Sequence, residues 1–329
     1  MTTGNASDRR AEQQGVATVP CGGTPLNPAP PLLDRAAAAY LGLAVGDALG
    51  ATVEFLTPNE IRQRHGVHRA LSGGGWLHLK AGQVTDDTTM SLALGEAILA
   101  RGGIEARAAA EAFDQWMRAK PVDIGNTVRR NLIQFRKTGN PEAVACEHDA
   151  GNGAMMRVLP VALACFGARP AMTILASRAQ AHVTHHNTLS DAACEALIFM
   201  VQDFLAGHDV DRLHRERAEE LVRQQPLFAF HRKRRDNPSG YVVETMQAVL
   251  QAFSTTDSFE ACLIDVVNRG GDADTTGAIA GMLAGARYGL AGIPCDWLQV
   301  LDRKIHQHCS RQAAALIALS QAGIRIGGA

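Results

Sequence analysis

Two stretches of this 329-residue chain carry glycine at every fourth position, Gly42, Gly46 and Gly50 in one and Gly277, Gly281 and Gly285 in the other. Each sits in an apolar run with helical spacing, so the three glycines of each set fall on one face. A glycine inside a helix costs about 1 kcal/mol relative to alanine. Paying that three times on one face makes sense only if something packs against the bare backbone. The expectation is two central helices that cross in direct contact, beside the functional site.

The rest of the pattern is also helical. Leu33, Ala36, Ala37, Tyr40, Leu41 and Ala44 recur at three and four residues, one face of a helix from about residue 32. Further helices are predicted over 87–100, 105–119, 122–137, 155–166, 170–181, 190–206, 242–253, 258–268, 275–288 and 294–322. Alternating strand patterns are nearly absent, and 73–80 forms at most a loop or a short ribbon. Aromatic residues are only 5% of the chain, which suits close-packed helices better than a β-sandwich. The predicted fold is all-α, a compact orthogonal multi-helix bundle in a single domain over 32–329. Residues 1–31, rich in Gly, Pro, Thr and Ala and without hydrophobic period, are expected to be a disordered leader.

Several function classes are disfavoured. The formal net charge is −1, without the basic excess of a dedicated nucleic-acid binder. The longest small-apolar run, 277–286, falls far short of the ~20 residues that cross a bilayer. Seven widely spaced cysteines with no C-x-x-C argue against a disulfide framework or a zinc-thiolate site, and with no apolar signal core near the start they point to the cytoplasm.

Two segments carry chemistry. Gly82 to Met90 places Asp86 and Asp87 among Thr85, Thr88 and Thr89 at the start of an apolar helix. Asn268 to Gly277 repeats the arrangement, with Asp272 and Asp274 beside Thr275 and Thr276 and a Gly270–Gly271 turn before them. One carboxylate would cap a helix; two in each loop exceed that need. Brought together, the four would repel one another and raise each other's pKa values, and two divalent cations would neutralise them. All the donors are hard oxygens, favouring Mg²⁺, Mn²⁺ or Ca²⁺ over zinc or copper.

These loops, with Leu41 to Phe55, Arg118 to Thr127, Asp149 to Arg157 and Leu189 to Cys194, resemble the ADP-ribosylglycohydrolase family over nearly the whole chain after the leader. The resemblance implies an all-α fold with a binuclear centre of two divalent ions, Mn²⁺ before Mg²⁺. Its ligands would be Thr85, Asp86 and Asp87 from the first loop and Asp272, Asp274 and Thr275 from the second. It implies catalytic roles for Asp123 and Glu54, and substrate contacts from Asn126, Asn152, Gly153, Met155, His185 and Tyr241. The Gly151–Met155 turn, read as leading into a helix, would offer backbone N–H groups to the pyrophosphate; Tyr241 would stack on adenine or line the cleft, or else belong to the core.

The activity implied is removal of ADP-ribose from arginine, with the ADP-ribosylated iron protein of nitrogenase as substrate. A PII-like signalling protein and a membrane ammonium channel are implied as regulatory partners of a cytoplasmic monomer. Hydrolysis of another linkage, such as serine, and non-catalytic ADP-ribose binding are the alternatives. The basic run His231–Arg235 reads as a solvated face or a docking surface, and the role of His186 stays open.

Overall fold

The computed structural model describes residues 31–327; the leader expected over 1–31 lies, apart from Pro31, outside the described residues. The first helix, α1 (Leu32–Gly50), is buried on almost every side, as befits the centre of a large helical protein. Then come α2 (Pro58–His65), α3 (Asp86–Arg101), α4 (Ala106–Arg118), α5 (Asn126–Thr138), α6 (Leu159–Ala164), α7 (Pro170–Ala181) and α8 (Thr188–Leu205). The chain continues through the short α9 (Val210–Arg212) and α10 (Glu219–Gln224) to α11 (Val242–Thr255), α12 (Phe259–Val267), α13 (Ala273–Tyr288), α14 (Cys295–Val300) and α15 (Arg303–Ala322). The only strands among the described residues, Gly103–Ile104 and Arg325–Ile326, pair in parallel. No described helix is long and apolar enough to cross a membrane.

The two glycine-bearing helices meet as expected. A methyl group on Gly42 would lie 2.2 Å from the carbonyl oxygen of Gly281, one on Gly46 2.0 Å from that of Gly277, and one on Gly50 2.1 Å from that of Ala273. Gly285 meets the carbonyl of Ala38 in the same way. The falling partner numbers show that α1 and α13 run antiparallel, backbone against backbone. The C-terminal end of α1 therefore lies beside the N-terminal end of α13, where Asp272 and Asp274 stand.

Several predicted boundaries move, each for a local reason. The helix predicted over 155–166 shrinks to α6, because 151–157 is a run of turns tied to Gly240 and His185. The helix predicted over 122–137 starts at Asn126, leaving Asp123 on the loop before it. The long helix predicted over 294–322 breaks at Leu301–Asp302. There the Asp302 N–H donates to the carbonyl of Gly82 (3.0 Å), and its side chain accepts from the N–H groups of Lys304 and Ile305 to start α15. Helix α2 was not anticipated, although Thr57 and Glu60 form a reciprocal capping box around Pro58.

Candidate metal centre and cleft

The first acidic loop is held by a residue that the sequence reading left without a role. Asp47, fully buried on α1, accepts from the N–H groups of both Thr85 and Thr88 at 2.9–3.1 Å and from the hydroxyls of the same two threonines at 2.9 and 2.5 Å. The start of α3 has no side-chain cap of its own. A carboxylate from another helix supplies the cap, satisfying donors that a helix start leaves open. A charged residue in the apolar stretch from Ala36 to Gly50 is the one signal in the sequence for it. The second loop is fixed by its glycines. Gly270 and Gly271 have φ of 72° and 67°, and a methyl group on either would come within 2.1 Å of the carbonyl oxygen of Leu56 or Pro238 respectively.

So fixed, the loops converge. The Thr275 hydroxyl donates to Asp87 Oδ2 at 3.4 Å across a separation of 188 residues, and Thr85 Oγ1 approaches the same oxygen at 3.3 Å. Carboxylate oxygens of Glu54, Asp272 and Asp274 all lie within 4.8 Å of one another. Asp86, Asp87 and Asp274 are almost wholly buried.

The electrostatics follow from this crowding. Burial first, and then the charges of Asp123, Asp47 and Asp272, push the Asp86 carboxyl up to about 7. Burial raises Glu54 to about 8, and neighbouring Asp272, Asp123 and Asp86 add to it against a hydrogen bond from Trp76. Asp87 and Asp274 are driven well above the ordinary carboxylate range, by burial and then by the surrounding carboxylates, and Asp272 is raised as well. So many buried acids packed together, with no ion pair to them among the described residues, are a poor solution for stability alone. They suit divalent cations: every donor is a hard oxygen, and Asp87 Oδ1 is buried without any hydrogen-bond partner.

A cavity of about 560 Å³ opens over this floor. Glu54, Asp86, Asp272, Asp274 and Thr275 line it together with Asp123, Asn126, Asn152, Gly153 and His185. Thr85 and Asp87 sit beneath, and are not part of the lining.

The expected substrate contacts divide. Asn152 faces the cavity, but its amide donates to Asp272 Oδ2 at 2.5 Å and to Thr245 Oγ1 at 2.9 Å, so it orients Asp272. Gly151 and Gly153 leave room for the His185 ring, which a methyl group at either would meet within about 3 Å. That ring is buried and its pKa falls to about 3, from burial and then from nearby Arg157 and Arg130; it is neutral. No helix opens at Met155. The Asn152 N–H is spent on the Gly240 carbonyl and those of Met155 and Met156 on the Asn152 carbonyl, which corrects the reading of this turn as leading into a helix. Met155 is buried in the core, and Met156 reaches the cavity instead. Tyr241 is not in the cavity wall; it is 37% exposed and pairs with Gly151 through the backbone. His186 stacks on His182 with ring centroids 3.8 Å apart. In the basic run, Arg234 and Arg235 are tied to Asp265 and Glu244. Phe55, Trp76 and Arg129, which also line the cavity, were not singled out by the sequence reading.

A nearly all-helical protein with a cleft floored by hard-oxygen acids from two distant loops is the class these observations define, and the chain belongs to the ADP-ribosylglycohydrolase family, whose model matches residues 28–323. It is 51% identical to the ADP-ribosyl-[dinitrogen reductase] glycohydrolase of Rhodospirillum rubrum, over 88% of this chain and 98% of that one. It is 32% identical to the ADP-ribosylarginine hydrolase Tri1 of Serratia proteamaculans (strain 568), over 90% of this chain and 82% of the relative. A solved structure described as an ADP-ribosylglycohydrolase-related protein complex superposes with a TM-score of 0.78 at 35% identity, covering 88% of this chain and 99% of that chain.

Proposed function

We propose that this protein hydrolyses the N-glycosidic bond between ADP-ribose and an arginine side chain, and that its substrate is ADP-ribosylated dinitrogenase reductase, the iron protein of nitrogenase. The observation that carries the reading is the half-identity to the Rhodospirillum rubrum relative, over 88% of this chain and 98% of that one, in a chain whose cleft is lined by Glu54, Asp86, Asp123, Asp272 and Asp274.

Thr85, Asp86, Asp87, Asp272, Asp274 and Thr275 are assigned to two divalent ions, Mn²⁺ before Mg²⁺. Bound there, such ions supply Lewis acidity toward the ribose oxygens and compensate the buried carboxylates. The protein's own groups do the rest. Hydrolysis breaks the bond between C1 of the ribose and a guanidine nitrogen, adds the oxygen of water to that carbon, and returns a proton to the leaving nitrogen. Asp123 and Glu54 face the same cavity, and we assign these proton transfers to them. Asn152 holds Asp272 through its amide. His185, neutral and fixed by Thr184 at 2.8 Å, shapes the wall without adding charge. Asn126, at the first position of α5, and Gly153 are assigned to the nucleotide.

The test gives the purified protein with Mn²⁺ to ADP-ribosyl-arginine and ADP-ribosyl-serine proteins and measures free ADP-ribose. Release from arginine, lost in Asp86→Ala and in Asp274→Ala, is the expected result. Release from serine alone, or tight ADP-ribose binding with no release, contradicts it.

A further inference from the structure

Two large aromatic side chains stand at the mouth of the cleft in a chain that has few of them. Phe55 is 63% exposed and Trp76 50% exposed, both line the cavity, and their ring centroids are 5.6 Å apart at 43°. Neither position is a default. Phe55 has φ of 61°, a region that a bulky residue enters only when its surroundings enforce it. The Gly271 loop does so. The Phe55 N–H donates to the Gly271 carbonyl (2.7 Å), and the Gly271 N–H donates to that of Leu56 (3.0 Å). The loop that carries Asp272 and Asp274 thus turns Glu54 inward and Phe55 outward.

Trp76 rides the tip of a tight hairpin closed by Gly74 and Leu79. The hairpin is pressed so closely on the end of α1 that a methyl group on Gly75 would lie 2.4 Å from the Ala51 carbonyl oxygen. The indole N–H donates to Glu54 Oε2 at 2.7 Å, which fixes ring and carboxylate as one unit: two aromatic faces with an acid at their inner edge.

We infer that Phe55 and Trp76 form the subsite for the planar cation of the substrate, the arginine guanidinium from which ADP-ribose is cleaved, with the rings taking its face and Glu54 its N–H edge. The inference rests on the arginine reading proposed above. A guanidinium is the part of that substrate that gains from both features, since cations are attracted to aromatic faces and guanidinium N–H groups pair with carboxylates. Adenine would gain from the rings alone, and the diphosphate, an anion, gains nothing from aromatic faces. The cavity offers the diphosphate a different neighbour, the exposed Arg129 on the first turn of α5.

The experiment measures steady-state hydrolysis of an ADP-ribosyl-arginine peptide and, separately, calorimetric affinity for free ADP-ribose, which has no guanidinium. Phe55→Leu keeps apolar bulk without the ring, Trp76→Leu removes the second face, and Phe55→Tyr keeps the face. Each leucine variant is expected to raise KM for the peptide about 5- to 30-fold, the scale of a cation–aromatic contact. Affinity for free ADP-ribose is expected to stay within about twofold, and Phe55→Tyr to recover most of the lost KM. An unchanged KM in the leucine variants, or an equal loss of ADP-ribose affinity, overturns the subsite while leaving the function standing. Failure of the wild-type protein to act on the arginine peptide while it releases ADP-ribose from serine overturns both.

Discussion

Asp47 shows how much of the site depends on a residue that need not touch substrate. It accepts from two backbone N–H groups and two hydroxyls at the start of α3, and so sets the position of Asp86 and Asp87. Removing an acceptor from several buried donors costs roughly 1–3 kcal/mol, and losing a partner behind a metal ligand typically weakens metal binding 10- to 100-fold. Asp47→Ala is therefore expected to lower unfolding free energy by about 2 kcal/mol and Mn²⁺ affinity by at least about tenfold. Denaturant titration and calorimetry read the two effects. An unchanged metal affinity would show that α3 holds its loop without Asp47. The four aspartates of the two loops were legible in the sequence because paired acids at a helix start exceed what capping requires. Asp47 was not, because its partners lie at the start of α3, and an acid near the end of a mostly apolar helix does not reveal what it faces. Phe55 and Trp76 were hidden for a related reason: their exposure comes from a positive φ and a hairpin packed on α1, neither of which has a periodic signature.

Among the elements, α1 and α13 carry the frame. Their glycines could be read from sequence because nothing in helix propensity favours them, leaving contact as the explanation. Gly46→Ala tests the point: the new methyl group would stand 2.0 Å from the Gly277 carbonyl oxygen. Only backbone movement relieves that, and overpacking of this kind costs about 1–3 kcal/mol or more. We expect a loss of about 3 kcal/mol by denaturant unfolding, toward the upper end of that range, because the obstacle is main chain and not a flexible side chain. A neutral or stabilising effect, as alanine gives in an unobstructed helix, would refute the close crossing. Elsewhere helical periodicity misled where tertiary bonds outbid it. The apolar run after Met155 resembles a longer helix than α6, but 151–157 is held by Gly240 and by the space that the His185 ring takes. The break at Leu301–Asp302 exists because the chain there bonds to Gly82, just ahead of the first acidic loop.

On the scale of the whole molecule, the cleft stores electrostatic cost that cations would relieve. Without metal, the carboxyl pKa values of Asp47, Asp86 and Glu54 rise to about 6, 7 and 8. The folded state then binds more protons than the unfolded chain, so stability falls as pH rises. The contribution is fully present below the ordinary carboxylate range and is lost as pH climbs through about 6 to 8. The chelated protein should therefore melt at a lower temperature at pH 8 than at pH 6, and Mn²⁺ should restore more at pH 8 than at pH 6. Scanning calorimetry with and without chelator checks the sign; a chelated protein that gains stability from pH 6 to pH 8 would reverse it.

The most direct measurement is a Mn²⁺ titration of the full-length protein, followed by calorimetry and by the electron paramagnetic resonance of free Mn²⁺, for wild type, Asp86→Asn and Asp274→Asn. Saturable binding is expected in the wild type, with a marked loss when either loop is altered, since both contribute to one centre. Wild-type Mn²⁺ binding in either variant would contradict it.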